Sequence, residues 1–361
     1  MLRMDSSERV LLTLNRQEAD RVPINYSANP GIDARLKAHF GLATDDHEGL
    51  RRRLCVDFRE VRAGYIGDRL HEPVTDRRVD PVWGRRTRWI EHDSGGYWDF
   101  CDFPLRDADE AAIAAWPSPS ADDYDYASLV SQAARLRATG VATHLGNPGL
   151  GDIINSNGMI RTMEQVLVDL ITDDAAGLAL VDRKVEHELA VTRRCLEVAA
   201  DHIDFVWLGE DLGTQKGPLI GLDLYRRHIR PRHQRYVDLA TEFGKPVMIH
   251  TCGSSSWAYD DFIEMGIGAV DTLQPEAMDM SPAFLKERYG HGLAFHGCIS
   301  TAGPVATGDP ADVTQICRET LETMMPGGGY CFAPTHQLQD NSPTENVVAM
   351  YDAVNQFGAY A

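Results

Sequence analysis

The sequence predicts an α/β chain, a (β/α)8 TIM barrel that carries an N-terminal helical and β-hairpin elaboration. Three observations predict it. From Val141 onward, short apolar runs at 141–146, 204–210, 246–251, 269–274, 293–297 and 329–333 alternate with helical segments. From 204 the runs begin roughly 23 to 42 residues apart, the length of one strand–helix unit. No Gly-x-Gly-x-x-Gly opens a helix after a strand, which argues against an open dinucleotide-binding sheet. Alternation of this kind means a parallel sheet with helices outside it. With an early extended segment near 22–28, the units suit a closed eight-stranded barrel. Residues 1–361 are expected to form a single barrel domain, with 1–140 carrying the elaboration.

In chain order, residues 5–17 read as an amphipathic helix with Val10, Leu11 and Leu14 on one side. Residues 31–56 read as helical, with Leu36 and Phe40 on one face. From about 58 to 105 the texture turns β-like and aromatic, with Tyr65, Trp83, Trp89, Tyr97 and Trp98, and Gly95-Gly96 between two runs suggests a hairpin. These aromatics form either a small core of their own or a lid or docking face at the barrel mouth. Ser281-Pro282, Asp309-Pro310 and Ser342-Pro343 each place a capping residue before proline at a helix start. After Asp309, Val313, Ile316, Cys317, Leu321 and Met324 keep helical spacing.

Composition narrows the function. The 361 residues are 43% hydrophobic and 25% charged, with a formal charge of −19, as in ordinary soluble globular proteins. Such acidity argues against nucleic acid or an anionic membrane as partner, since both need basic surface. No apolar run approaches the length of a membrane-spanning helix, and the first residues have no signal-peptide core. Seven scattered cysteines suit a reducing cytoplasm and a metal or reactive thiol better than a disulfide framework.

In a parallel barrel, chemistry gathers at the C-terminal strand tips, and four tips here carry ligand-grade side chains. Pro246-Val247-Met248-Ile249-His250-Thr251-Cys252-Gly253 ends an apolar run in His250 and Cys252, two residues apart and so on one side of an extended chain. Glu210 and Asp211 end another run, between glycines. His296 and Cys298 end a third, and Cys331 and His336 flank the end of the last. Histidine and cysteine at several tips of one barrel are what a zinc site needs. Gln215, Gln274, Glu276 and Gln339 follow strands and are candidates for binding substrate. Cys55, Cys195 and Cys317 read as packing residues, and Glu345 and Asn346 as support for the last helix.

These residues resemble the uroporphyrinogen decarboxylase superfamily over most of the chain, chiefly 204–358. The resemblance rests on Gly209-Glu210-Asp211-Leu212-Gly213-Thr214-Gln215, His250-Thr251-Cys252-Gly253, Phe295-His296-Gly297-Cys298-Ile299 and Gly328-Gly329-Tyr330 through Ala333-Pro334 to Pro343-Thr344-Glu345-Asn346. It implies a (β/α)8 barrel, commonly a homodimer. The superfamily's true decarboxylases bind an acidic tetrapyrrole through an early arginine-rich motif, whereas Ile24 to Gly31 has no arginine. The chain looks closer to the zinc-dependent methyltransferases, which move a methyl group between a corrinoid protein and a thiol or tetrahydrofolate. Their thiol-activating members hold Zn2+ with a His-x-Cys pair and a downstream cysteine. The resemblance assigns His250 and Cys252 to the pair. It leaves the third ligand between His336, which aligns with the family cysteine, and Cys331, and makes Asp211 or Glu210 a fourth ligand or a carboxylate orienting a histidine.

The expectation is a zinc-dependent methyltransferase with Glu210, Asp211 and His296 at the reacting centre, a small-molecule substrate and a corrinoid protein as partner. Metal-free decarboxylation of a polycarboxylate, or a barrel that binds without catalysis, are the alternatives.

Overall fold

Our computed structural model describes residues 4–92 and 95–360. Among the described residues, seven parallel strands form one curled sheet, a TIM-like arrangement. They are β1 (Phe58–Val61), β2 (Ala142–Gly146), β3 (Phe205–Gly209), β4 (Val247–Thr251), β5 (Ala269–Thr272), β6 (Ala294–Ile299) and β7 (Tyr330–Pro334), and their order in space follows the chain. The apolar runs from 141 onward all fall on these strands. The segment near 22–28 makes isolated bridges instead of a regular strand, pairing Ile24 with Phe332 and Ala28 with Leu338. It touches both ends of the sheet. Asn25 N donates to Phe332 O at 2.9 Å, and Asp57 N, just before β1, donates to Ile24 O at 2.8 Å.

Asp57 ties this seam together. Its buried carboxylate accepts from Arg9 Nη1 and Arg21 Nη1, each at 2.8 Å, and from Ile24 N at 2.7 Å. Deleting one member of such a buried group leaves uncompensated charge, at a cost of about 3–5 kcal/mol.

Strand alternation decides what fills the interior. Phe58, Ala142, Phe205, Trp207, Met248, Ala269, Ala294 and Cys331 pack with Val10 and Leu14 in one apolar cluster. The last two come from the helix Ser6–Leu14, whose Ser6 N donates to Gly140 O at the N-terminal side of β2. Two residues beyond Met248, Ala269 and Ala294 on the same strands stand His250, Asp271 and His296. One periodicity thus sets an apolar layer below and a polar layer above, toward the C-terminal tips.

The helices between strands bury one face each. Pro310–Met324 buries Val313, Cys317, Leu321 and Met324, and starts in a capping box between Asp309 and Asp312; such a cap contributes about 1 kcal/mol. Ser281 precedes its helix without a side-chain cap bond. Ser342 is no cap either, because the last helix is Thr344–Phe357 with Pro343 before it.

The N-terminal third departs from the expected run at 31–56. Two helices, Pro30–His39 and His47–Arg53, stand there. Gly41, at φ +67°, turns the chain out of the first, and Asp46 caps the second by accepting from Gly49 N. Strands Arg86–His92 and Gly95–Phe100 pair antiparallel beside Arg78–Val79. Gly95 and Gly96 lie on the second of these strands, opposite His92 and Glu91, and residues 93–94, between the two strands, are outside the described residues. Glycine at 96 makes room for an aromatic, since a Cβ there would come 2.2 Å from Trp89 Cζ2. Trp83 packs against His187 and Lys184, whereas Trp89 and Trp98 stay half exposed. Among the described residues no helix is long and apolar enough to cross a membrane.

Candidate metal centre

β4 points His250 inward from its penultimate position, and Cys252 follows just past the strand end. Their side chains converge, with Cys252 Sγ 3.3 Å from His250 Nε2. The next residue must be glycine. Gly253 has φ +69°, and a Cβ on it would lie 2.5 Å from the carbonyl carbon of Gly213, so the loops after β3 and β4 are pressed together. That contact brings in Asp211, which follows β3. Its Oδ1 accepts from Cys252 N at 3.0 Å and lies 3.6 Å from His250 Nε2.

One oxygen, one nitrogen and one sulfur therefore sit within 4.8 Å of one another. Bonds of about 2.0–2.3 Å to a tetrahedral zinc ion separate ligand atoms by roughly 3.3–3.6 Å. The separations of 3.3 and 3.6 Å to His250 Nε2 match the edges of such a tetrahedron, so the residues present fit the ion.

Asp271, on β5 beside His250, completes the arrangement. Its Oδ2 is 2.6 Å from His250 Nδ1, and Thr272 Oγ1 lies 2.7 Å from the same nitrogen. Its Oδ1 accepts from His296 Nδ1 on β6. An ionised Asp271 can only accept, so each Nδ1 donates and each Nε2 is turned elsewhere. For His250, Nε2 meets Asp211 and Cys252; for His296, it meets Asn25 Nδ2 at 3.0 Å. A carboxylate behind a histidine is the usual support of a metal-ligating imidazole. Thr272 adopts φ +92°, a strained backbone for a β-branched residue, held beside the site.

The electrostatics describe a site built for a cation. Burial works against ionising Asp271, yet the charge of His296 and the hydrogen bond from His250 hold its carboxyl below the usual range. Burial opposes charge on His250 too, but Asp271 outweighs it and lifts the imidazole well above its ordinary value. Burial pushes the Cys252 thiol up, against the hydrogen bond from His250. A divalent ion reverses the last two, favouring neutral imidazole and thiolate.

The other candidates fall in different places. Glu210 is only 1% exposed and is not in the group of three. Its carboxylate accepts from Ile153 N at 2.8 Å and Ile154 N at 3.1 Å, and burial, then Asp152, raises its pKa well above normal. The third donor expected from the far end of the chain is not brought to the cluster. Cys331 lies in the interior apolar layer, where burial raises its thiol. His336 is exposed on the cavity wall, outside the group of three. Gln274 Oε1 accepts from Gly253 N at 2.7 Å and from Gln215 Nε2 at 3.3 Å, so this pair braces the loop behind Cys252. Glu276 bonds Ser300 Oγ at 2.9 Å, and Gln339 Nε2 donates to Gln337 O at 3.0 Å. Cys298 is buried in the main core.

Sequence reasoning missed Asp271, Asn155 and His144. Asp271 did leave a signal, a charged residue inside an apolar strand, which cannot be buried without partners. His250, Asp271 and His296 form part of the wall of a cavity of about 1160 Å³, together with Phe58, His144 and Trp207. Burial lowers the His144 imidazole from 6.5 to about 4, against a hydrogen bond to Gly146 O, and lowers buried His233 likewise. Both rings are neutral when folded, so unfolding takes up protons as pH falls below 6.5. The stability they contribute is complete at neutral pH and is lost toward pH 4, about 2 kcal/mol per ring by pH 5. Urea midpoints across this range should fall more steeply for the wild type than for His144→Gln; parallel slopes would contradict the assignment.

Against known proteins, no match is found among curated sequences. Among solved structures, a methyltransferase from Methanosarcina mazei aligns over 98% of this chain and 99% of its own, with a TM-score of 0.66 and 15% identity, a likeness of fold. A D-psicose 3-epimerase solved in the presence of D-fructose covers 65% of this chain and 84% of its own at a TM-score of 0.37 and 12% identity, too distant to carry an argument. The family model described as "Uroporphyrinogen decarboxylase (URO-D)" matches residues 153–357. That span is more than half of the sequence and includes Asp211, His250 and Cys252, so this chain belongs to the uroporphyrinogen decarboxylase family.

Proposed function

We propose that the chain is a zinc-dependent methyltransferase, moving a methyl group between a corrinoid carried on a partner protein and a thiol or tetrahydrofolate-type acceptor. In this reading the barrel is closed, with residues 22–28 in the eighth position, and the protein works in a reducing cytoplasm. The observation that carries the proposal is the convergence of Asp211, His250 and Cys252, with Asp271 locking the imidazole. Three protein donors are the number a catalytic zinc site uses, leaving a place for a substrate group. When bound, zinc would lower the pKa of a substrate thiol enough to supply thiolate at neutral pH.

The chain's own residues do the rest. Asp271 holds the His250 proton on Nδ1 and so presents Nε2 to the metal. Phe58, Trp207 and His144 set aromatic rings along one part of the cavity wall, beside His250, Asp271 and His296. The name of the M. mazei neighbour is in keeping with this reading. Decarboxylation of a polycarboxylate is the second reading, since Arg51 and Arg62 are exposed on the cavity wall, while Arg59 is already held by Glu48 at 2.9 Å and by the carbonyls of Val56 and Phe58.

Purified protein loaded with zinc and given methylcob(III)alamin with a panel of thiols or tetrahydrofolate should release cob(I)alamin, followed by its absorbance, at a rate that collapses after chelation. Conversion of uroporphyrinogen to coproporphyrinogen by the metal-free protein would overturn the proposal.

A further inference from the structure

Glu210 and Asp211 are adjacent and fasten to the same turn. Glu210 takes the amides of Ile153 and Ile154, while Asn155 Nδ2 donates to Asp211 Oδ2 at 2.8 Å. The acceptor is a carboxylate oxygen, so the amide nitrogen of Asn155 must be the atom facing it. Asn155 is itself fixed, its backbone N donating to Asp152 Oδ1 at 2.9 Å in the first turn of helix Ile154–Arg161. The other oxygen, Oδ1, takes Cys252 N and faces His250 Nε2.

A carboxylate can bind an ion through one oxygen or through both. With both, it would fill the position that a substrate group needs. We infer that Asn155 is a positioning residue that engages Oδ2 from behind, so that Asp211 offers the metal a single oxygen and the site stays four-coordinate with one place free for substrate. This rests on the proposal that Asp211, His250 and Cys252 hold a metal. Asparagine suits the role where aspartate does not. An amide always has an N–H to donate, whereas an aspartate at this position would repel Asp211 when ionised and donate to it only when protonated.

The test uses Co2+ in place of zinc, because the strength of its visible absorption distinguishes four-coordinate from five-coordinate sites. The wild type should show the intense bands of a four-coordinate ion with a thiolate ligand. In Asn155→Ala and Asn155→Asp the bands should weaken several-fold, and Co2+ affinity should fall about 10–100-fold, the usual effect of losing a supporting partner. Asn157→Ala is the control, since Asn157 Nδ2 bonds Ile153 O at 2.8 Å in the same turn without touching Asp211. It should lower the melting temperature and leave the spectrum unchanged. Wild-type spectra and affinities in both Asn155 variants, or the same spectral change in Asn157→Ala, would overturn the inference while leaving the metal site standing. A wild-type protein that takes up no Co2+ would overturn the metal site itself, and the inference with it.

Discussion

Cys252→Ser is expected to stay folded and to lose its metal. The side chain is half-buried just beyond β4 and belongs to no apolar cluster, so exchanging sulfur for oxygen should move the melting temperature by only a few degrees. The effect on the ion is of another order. A protein zinc site is worth about 10–16 kcal/mol at neutral pH. Removing one of three donors, and the only soft one, should cost about 4 kcal/mol, or on the order of a thousandfold in affinity. His250→Ala should do at least as much, because it also leaves Asp271 without one of its two imidazoles. Metal analysis by mass spectrometry should find one zinc per wild-type chain and only traces in either variant, with methyl transfer lost in step. Full zinc content and full turnover in Cys252→Ser would remove the basis of the metal centre.

Asp271→Asn is expected to have the second-largest effect, although Asp271 would touch no metal. Asp271 is 5% exposed and accepts from two imidazoles. An amide can accept from one of them but must present N–H to the other, and it brings no negative charge to either. Metal affinity should fall about 10–100-fold as His250 loses its orientation, and stability should fall by about 3–5 kcal/mol where the buried pairing is broken. His296→Gln separates the two consequences, since it removes one imidazole and leaves the Asp271–His250 bond in place. Isothermal titration should then find near-normal zinc affinity in His296→Gln and weakened affinity in Asp271→Asn. Equal affinities in all three proteins would mean that Asp271 supports packing alone.

Much of this is legible in the sequence. The runs from 141 onward became strands because their length and spacing are set locally, by apolar period and by the Pro and Gly residues around them. The convergence of His250 and Cys252 was legible for the same reason, being a property of two residues in one extended segment. The helical pattern at 31–56 divides into two helices, because Gly41 and Asp46 break a chain whose apolar spacing runs on. Position along the sequence points to His336 and Cys331, near the chain's end, as third donors. The structure gathers Asp211 with the pair, sets Cys331 in the apolar layer and leaves His336 on the cavity wall.

What the sequence by itself determined is therefore local: which segments extend, which coil, and that an imidazole and a thiol leave one strand tip together. What only the tertiary structure decided is their company. Asp211 joins them because two glycines let neighbouring loops touch, Asp271 stands behind His250 because parallel register sets it there, and Asn155 reaches Asp211 from the first turn of the helix that follows β2. Contacts between strands distant in sequence depend on register and backbone approach, and neither is written in the spacing of residues along the chain.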